Sequence, residues 1–264
     1  MSVPPPHRRP RRALAVLALA LTCLTATPRA AELPSAIVEP PPRACDLPPE
    51  FAARTGTLAN ASAALRAGRL DLLAVGSATM LGTGASEEGS LPSEAAARLH
   101  AALPSTDIRL TLNIHRAATA ADMLAALRSE LALRHYPLVL WQTGTVEAAR
   151  RLPPPEFERV LREGSRMVRA AGGDLILIDP QFSRLLETRA DPAPYEAVFN
   201  AVAQEDGVTL FSRYGLIRQW VARGAIDLER AARKDRRRDG GILHACVARA
   251  LARTILAGLQ PPAR

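Results

Sequence analysis

The sequence predicts a doubly wound α/β domain, a parallel sheet held between two layers of helices. Three observations predict it. Apolar runs of strand length recur along the chain, they end in small, polar or glycine residues, and amphipathic helical patterns separate them. Strands buried on both faces read as such near-continuous apolar runs, because the crossover helices cover the sheet on either side. A chain of 264 residues holds one domain of this kind together with a leader.

The leader comes first. Arg8, Arg9, Arg11 and Arg12 precede the apolar run Ala13–Leu24, and the small residues Ala30 and Ala31 follow. That is the order of a secretory signal peptide, assigned to residues 1–30. The run is too short for a standard membrane span, and a retained N-terminal anchor is the alternative. The expectation is an exported protein, periplasmic or secreted, with no stable span after signal removal. Without the five leader arginines (Arg29 is the fifth) the formal charge of +8 falls to +3, so the basic composition is no argument for nucleic acid. The cluster Arg233–Arg238 reads as a solvated loop.

Residues 31–49, with Pro40-Pro41-Pro42, read as an extended proline-rich tether, and residues 50–259 as the domain. The expected strands are Leu70–Ser77, Ile108–Ile114, Leu138–Thr143, Asp174–Asp179 and Val208–Ser212. The expected helices are Ser93–Leu103, Thr119–His135, Pro155–Ala171, Pro194–Glu205 and Leu243–Leu259. Thr119 and Asp122 form a capping box for the second of these. Right-handed crossovers then give a three-layer α/β/α sandwich of the flavodoxin-like kind. Function belongs at the carboxyl ends of its strands, here Gly76–Gly84, Asn113–Thr119, Gly144–Glu147 and Asp179–Phe182.

Cys23 lies in the leader, which leaves Cys45 and Cys246. In an oxidising compartment they allow one intramolecular disulfide. The alternative makes Cys246 a small buried residue of the last helix.

Several segments together resemble a known family. They are Val75-Gly76-Ser77, Trp141-Gln142-Thr143-Gly144-Thr145, Ile178-Asp179-Pro180-Gln181-Phe182, Phe211-Ser212-Arg213-Tyr214 with Gln219-Trp220, and Ala245-Cys246-Val247-Ala248-Arg249-Ala250-Leu251-Ala252. In this order the chain resembles the SGNH (GDSL) hydrolases, in particular an exported proteobacterial branch. The resemblance implies the SGNH hydrolase fold and an esterase-like site. A serine after the first strand attacks, a histidine near the C-terminus, three residues after an aspartate, is its base, and backbone amide, glycine and asparagine donors form the oxyanion hole.

Against that pattern the chain departs at each catalytic position. Ala78 stands at the nucleophile, with Ser77 at the preceding position. The second block, Asn113–Ala118, holds no glycine, and Val146 stands where the oxyanion asparagine belongs. Asp239 and His244 are five apart rather than three. The resemblance therefore implies an exported pseudoenzyme with a binding or accessory role, its vestigial cleft open to a small acylated or glycan ligand. The alternative is an active esterase with a displaced site, Ser77 as nucleophile, His244 as base, and Asp239 or Glu147 as the orienting acid. A metal enzyme drawing on His115, Asp122 or His244 lacks compact ligand spacing, and neither cofactor nor metal is expected. His100 and His135 read as surface residues, and Trp141 as core or pocket wall. Arg213, Arg218 and Trp220 read as cleft-lining or helix-surface residues. Glu147 would make the vacated cleft acidic.

Overall fold

The computed structural model describes Met1 and residues 45–48, 51, 56–82, 87 and 89–259. The expected signal peptide lies outside the described residues apart from Met1, and so does the expected tether apart from residues 45–48.

Five strands, β1 (Arg69–Ser77), β2 (Asp107–His115), β3 (Leu138–Gln142), β4 (Asp174–Ile178) and β5 (Val208–Phe211), form one sheet in the order β2-β1-β3-β4-β5. Every pairing is parallel. The strand order reverses between β1 and β3, which opens a crevice beyond their carboxyl ends. Register brings the candidate blocks together there, since Val75 faces Asn113 on one side and Trp141 on the other.

Alternate residues of each strand feed two separate cores, as the period of two requires. Leu70, Leu72, Ala74, Leu140 and Ile176 pack against α1 (Ala59–Arg66), α2 (Leu91–Ala102), α8 (Arg213–Ala222) and α9 (Arg236–Gly258). Leu73, Val75, Val139, Trp141 and Leu177 pack against α3 (Ala120–Leu133), α5 (Pro154–Ala170) and α7 (Ala193–Val202) on the opposite face. Two single-turn-scale helices, α4 (Thr145–Arg150) and α6 (Arg184–Arg189), lie at the carboxyl edge of the sheet. This is the three-layer α/β/α sandwich that the alternation of patterns predicts.

The strands agree with the expected ones to within a residue at each end. The capping box at Thr119 and Asp122 forms as expected. Differences fall on the helices. α1, α4, α6 and α8 are short, six to ten residues each, and their apolar spacing is too brief to register as a period. The last helix starts at Arg236 instead of Leu243, so half of the expected basic loop is helical.

Cys45 and Cys246 are joined in a disulfide, their Cα atoms 5.1 Å apart across 201 residues of sequence. The bond ties the start of the domain to the middle of α9. Next to it, Trp220, almost fully buried, donates from Nε1 to the carbonyl of Asp46 at 3.0 Å, so it is a core anchor.

Candidate functional site

β1 ends in a short 3-10 turn, Ala78–Met80, that carries the chain over the sheet edge. Ser77, the last strand residue, is 4% exposed. Its hydroxyl donates to Gln142 Oε1 at 2.8 Å, and its backbone N–H reaches the same oxygen at 3.0 Å. The Thr79 hydroxyl donates there too, at 3.2 Å. Gln142 is fully buried at the end of β3 and its amide nitrogen donates to the Thr143 carbonyl. A neutral amide oxygen satisfies a hydroxyl without accepting its proton, so none of these contacts activates Ser77.

Beyond the turn lies a cavity of about 610 Å³ bounded by α4, α6, α8 and α9. Its polar lining includes Thr79, Thr145, Arg213 and His244, and most of its wall is aliphatic or aromatic. Ser77, Ala78 and Val146 do not line it. Thr79 does, and it also accepts from Arg213 Nη2 at 3.2 Å.

Arg213 opens α8, whose N-terminus is capped by the Ser212 hydroxyl. Asp179, at the end of β4, accepts from the Tyr214 N–H at 2.7 Å and from the Ser212 hydroxyl at 2.8 Å. Burial raises the Asp179 carboxyl to about 7 in spite of those bonds and of the Arg213 charge. Burial likewise lowers Arg213 to about 10, against the pull of Asp179.

His244 lies on α9 against the turn after β1. Gly82 has φ +69°, and a Cβ there would come within 2.8 Å of the imidazole, so only glycine lets the ring sit so close. Burial, then the Arg213 charge, lowers His244 to about 4, although hydrogen bonding with the backbone of Gly89 and Ser90 works the other way. Its Nε2 is buried without a partner. An imidazole of that acidity is neutral at pH 7 and a weak proton acceptor.

The expected acid partners stand elsewhere. Asp239 lies in the first turn of α9 and accepts from Arg238 Nε at 3.0 Å. Five residues along a helix turn through roughly 500°, which puts Asp239 and His244 on different sides. Glu147 corrects the expectation of an acidic cleft. It is buried, one oxygen accepting the Gly144 N–H at 3.0 Å and the other the Ala120 N–H. It caps α4, joins it to α3, and lines none of the cavity. In the second block Asn113 Nδ2 donates to Glu130 at 3.0 Å, and exposed Ala117 adopts φ +55° where no glycine is available.

His100 and His135 are exposed, Trp141 is fully buried in the core, and Arg218 stacks over the Tyr214 ring at 5.6 Å. Gln142, Thr79 and Thr145 fall in the expected strand-end blocks, but the sequence assigned them no role. Their signal was modest: polar residues placed within three positions of a buried strand end.

A family model described as non-GDSL lipase-like matches residues 44–261. A sequence search of curated proteins found no match. Among solved structures, a catalytic mutant of Axe2, an acetylxylan esterase from Geobacillus stearothermophilus, aligns with TM-score 0.59 at 17% identity, over 74% of this chain and 97% of that one. LAE5, an alpha/beta hydrolase enzyme from the metagenome of Lake Arreo, Spain, aligns with TM-score 0.57 at 19% identity, over 72% and 97%. At such identities the likeness is one of fold.

Proposed function

The chain belongs to the non-GDSL lipase-like family, and we propose that within it this protein is an exported pseudoenzyme, binding a small acylated or glycan ligand in its cleft without hydrolysing it. One observation carries the reading. The serine at the end of β1 is not part of the cavity lining and its hydroxyl donates to Gln142, while Ala78 presents no hydroxyl at all. Three further features support it. Val146 carries no donor for an oxyanion, His244 holds no carboxylate partner, and its lowered basicity opposes proton abstraction at neutral pH. Loss of one triad member alone removes orders of magnitude of rate, and here the nucleophile, the donors and the acid–base pair are all altered.

The test is hydrolysis of p-nitrophenyl acetate, butyrate and decanoate by the purified mature chain. The expected rate equals the uncatalysed background, and Ala78→Ser by itself leaves it there, because the restored hydroxyl meets neither a competent base nor an oxyanion hole. Turnover that Ser77→Ala abolishes would establish the displaced Ser77–His244 site instead.

A further inference from the structure

The cleft holds a charge that an ester does not require. Arg213 is 2% exposed and lines the cavity. Its two terminal nitrogens donate to Thr79, one to the hydroxyl at 3.2 Å and one to the carbonyl at 3.4 Å, and both acceptors are neutral. Its Nε has no partner. Asp179 acts on it by charge, its hydrogen bonds coming from Ser212 and Tyr214. A cation so deeply buried is costly unless an anion completes it.

Two more orphaned atoms belong to residues of the same lining. Thr145 Oγ1 and His244 Nε2 are buried without hydrogen-bond partners, and both residues line the cavity with Arg213. Buried polar groups are nearly always satisfied, so a cluster of such exceptions around one cavity marks a place for a polar head. Around it stand Leu91, Phe182, Leu186, Ile217, Leu243 and Val247, which suit a tail without polar groups. The volume of about 610 Å³ lies within the usual span of small-molecule sites.

We infer that the cavity binds an apolar molecule ending in a single carboxylate, chemically a medium-chain fatty acid, with the carboxylate on Arg213 and the chain along the aliphatic wall. This rests on the pseudoenzyme reading, for a retained acid is a ligand only where it is not a product in passage. Selectivity follows from the charge. A guanidinium and a carboxylate form paired, charge-assisted hydrogen bonds, whereas an alcohol of the same length leaves the cation unpaired.

Calorimetric titration of the purified full chain with decanoate, and separately with decanol, tests the inference. The expected result is at least tenfold tighter binding of decanoate. Arg213→Met should bring decanoate down to the level of decanol, with no loss of melting temperature in the unliganded protein. Ala149→Trp, at the exposed rim of the cavity, should weaken both probes and leave the fold intact. Equal affinity for the two probes, or no binding of either, overturns the inference in the unmodified protein, whether or not Arg213→Met folds. The two ideas fail separately. Hydrolysis of p-nitrophenyl decanoate would sink the pseudoenzyme reading, while absent turnover together with indifference to the carboxylate would sink only the fatty-acid site.

Discussion

Gln142 Oε1 collects the Ser77 hydroxyl, the Ser77 N–H and the Thr79 hydroxyl, all within 3.2 Å. That convergence holds the turn after β1 shut, and it turns a hydroxyl that could have been a nucleophile into a structural donor. His244 and Asp179, both within reach of the Arg213 charge, act on stability in opposite senses. The fold keeps His244 neutral down to about 4, below the ordinary imidazole value near 6.5, so the unfolded chain takes up the proton first. Its contribution is present above pH ~6.5 and is lost as pH falls toward 4. Asp179 holds its proton up to about 7 in the fold, above the ordinary carboxyl value, so its contribution is present at low pH and is lost as pH rises to 7. Relative to wild type, His244→Gln should therefore lose stability as pH rises from 4 to 6.5, and Asp179→Asn should gain it from 4 to 7. Urea midpoints across that range measure both, and parallel profiles for the two variants would contradict the assignment. Ala117 allows a simpler test. A non-glycine residue at φ +55° carries backbone strain of about 1 kcal/mol, so Ala117→Gly should leave stability unchanged or raise it by up to ~1 kcal/mol in equilibrium denaturation.

At the scale of elements, α5 comes closest to Trp141 of the sheet at Gly164. A Cβ on Gly164 would lie 2.2 Å from the Trp141 ring, which is fully buried and cannot swing aside. Gly164→Ala should cost about 1–3 kcal/mol through overpacking, read as a lower urea midpoint at constant m-value, despite alanine's better helix propensity. α9 shows the reverse relation between element and chemistry. By running as a continuous helix from Arg236, it buries Leu243, Cys246 and Val247 in the core and also carries Asp239 away from the imidazole. The sequence places Asp239 and His244 five apart, which suggests a relaxed form of the usual pair. Helix geometry decides against it, because the loop in which such residues could approach one another is not a loop here.

Across the whole molecule, the disulfide closes a segment of 201 residues, and both half-cystines are almost completely buried. Tying the domain entrance to α9 restricts the unfolded chain over most of the domain. Its loss, by reduction or by paired Cys45→Ala and Cys246→Ala substitution, should cost about 2–5 kcal/mol and lower the melting temperature in a thermal scan. Equal melting temperatures with and without reductant, once free thiols are counted, would show that the packing of Trp220 over Asp46 suffices alone.

The layered fold was legible in the chain because burial on two faces imposes its own signature. Leu70–Ser77 and Leu138–Thr143 must be apolar along their whole length, and the helices between them must be apolar on one side only, whatever the protein does. The two cysteines and the residues at the strand ends, Ala78 and Val146 among them, were legible for a simpler reason, being statements about which residue is present. What the cleft does with those residues was not. Whether the Ser77 hydroxyl meets the cavity or Gln142, whether Glu147 faces solvent or two backbone amides, and whether Arg213 hydrogen-bonds a carboxylate or a threonine depend on side-chain direction across segments far apart in sequence. Those contacts carry no local period, and only the packing of the strands, helices and turns around the cleft decides them.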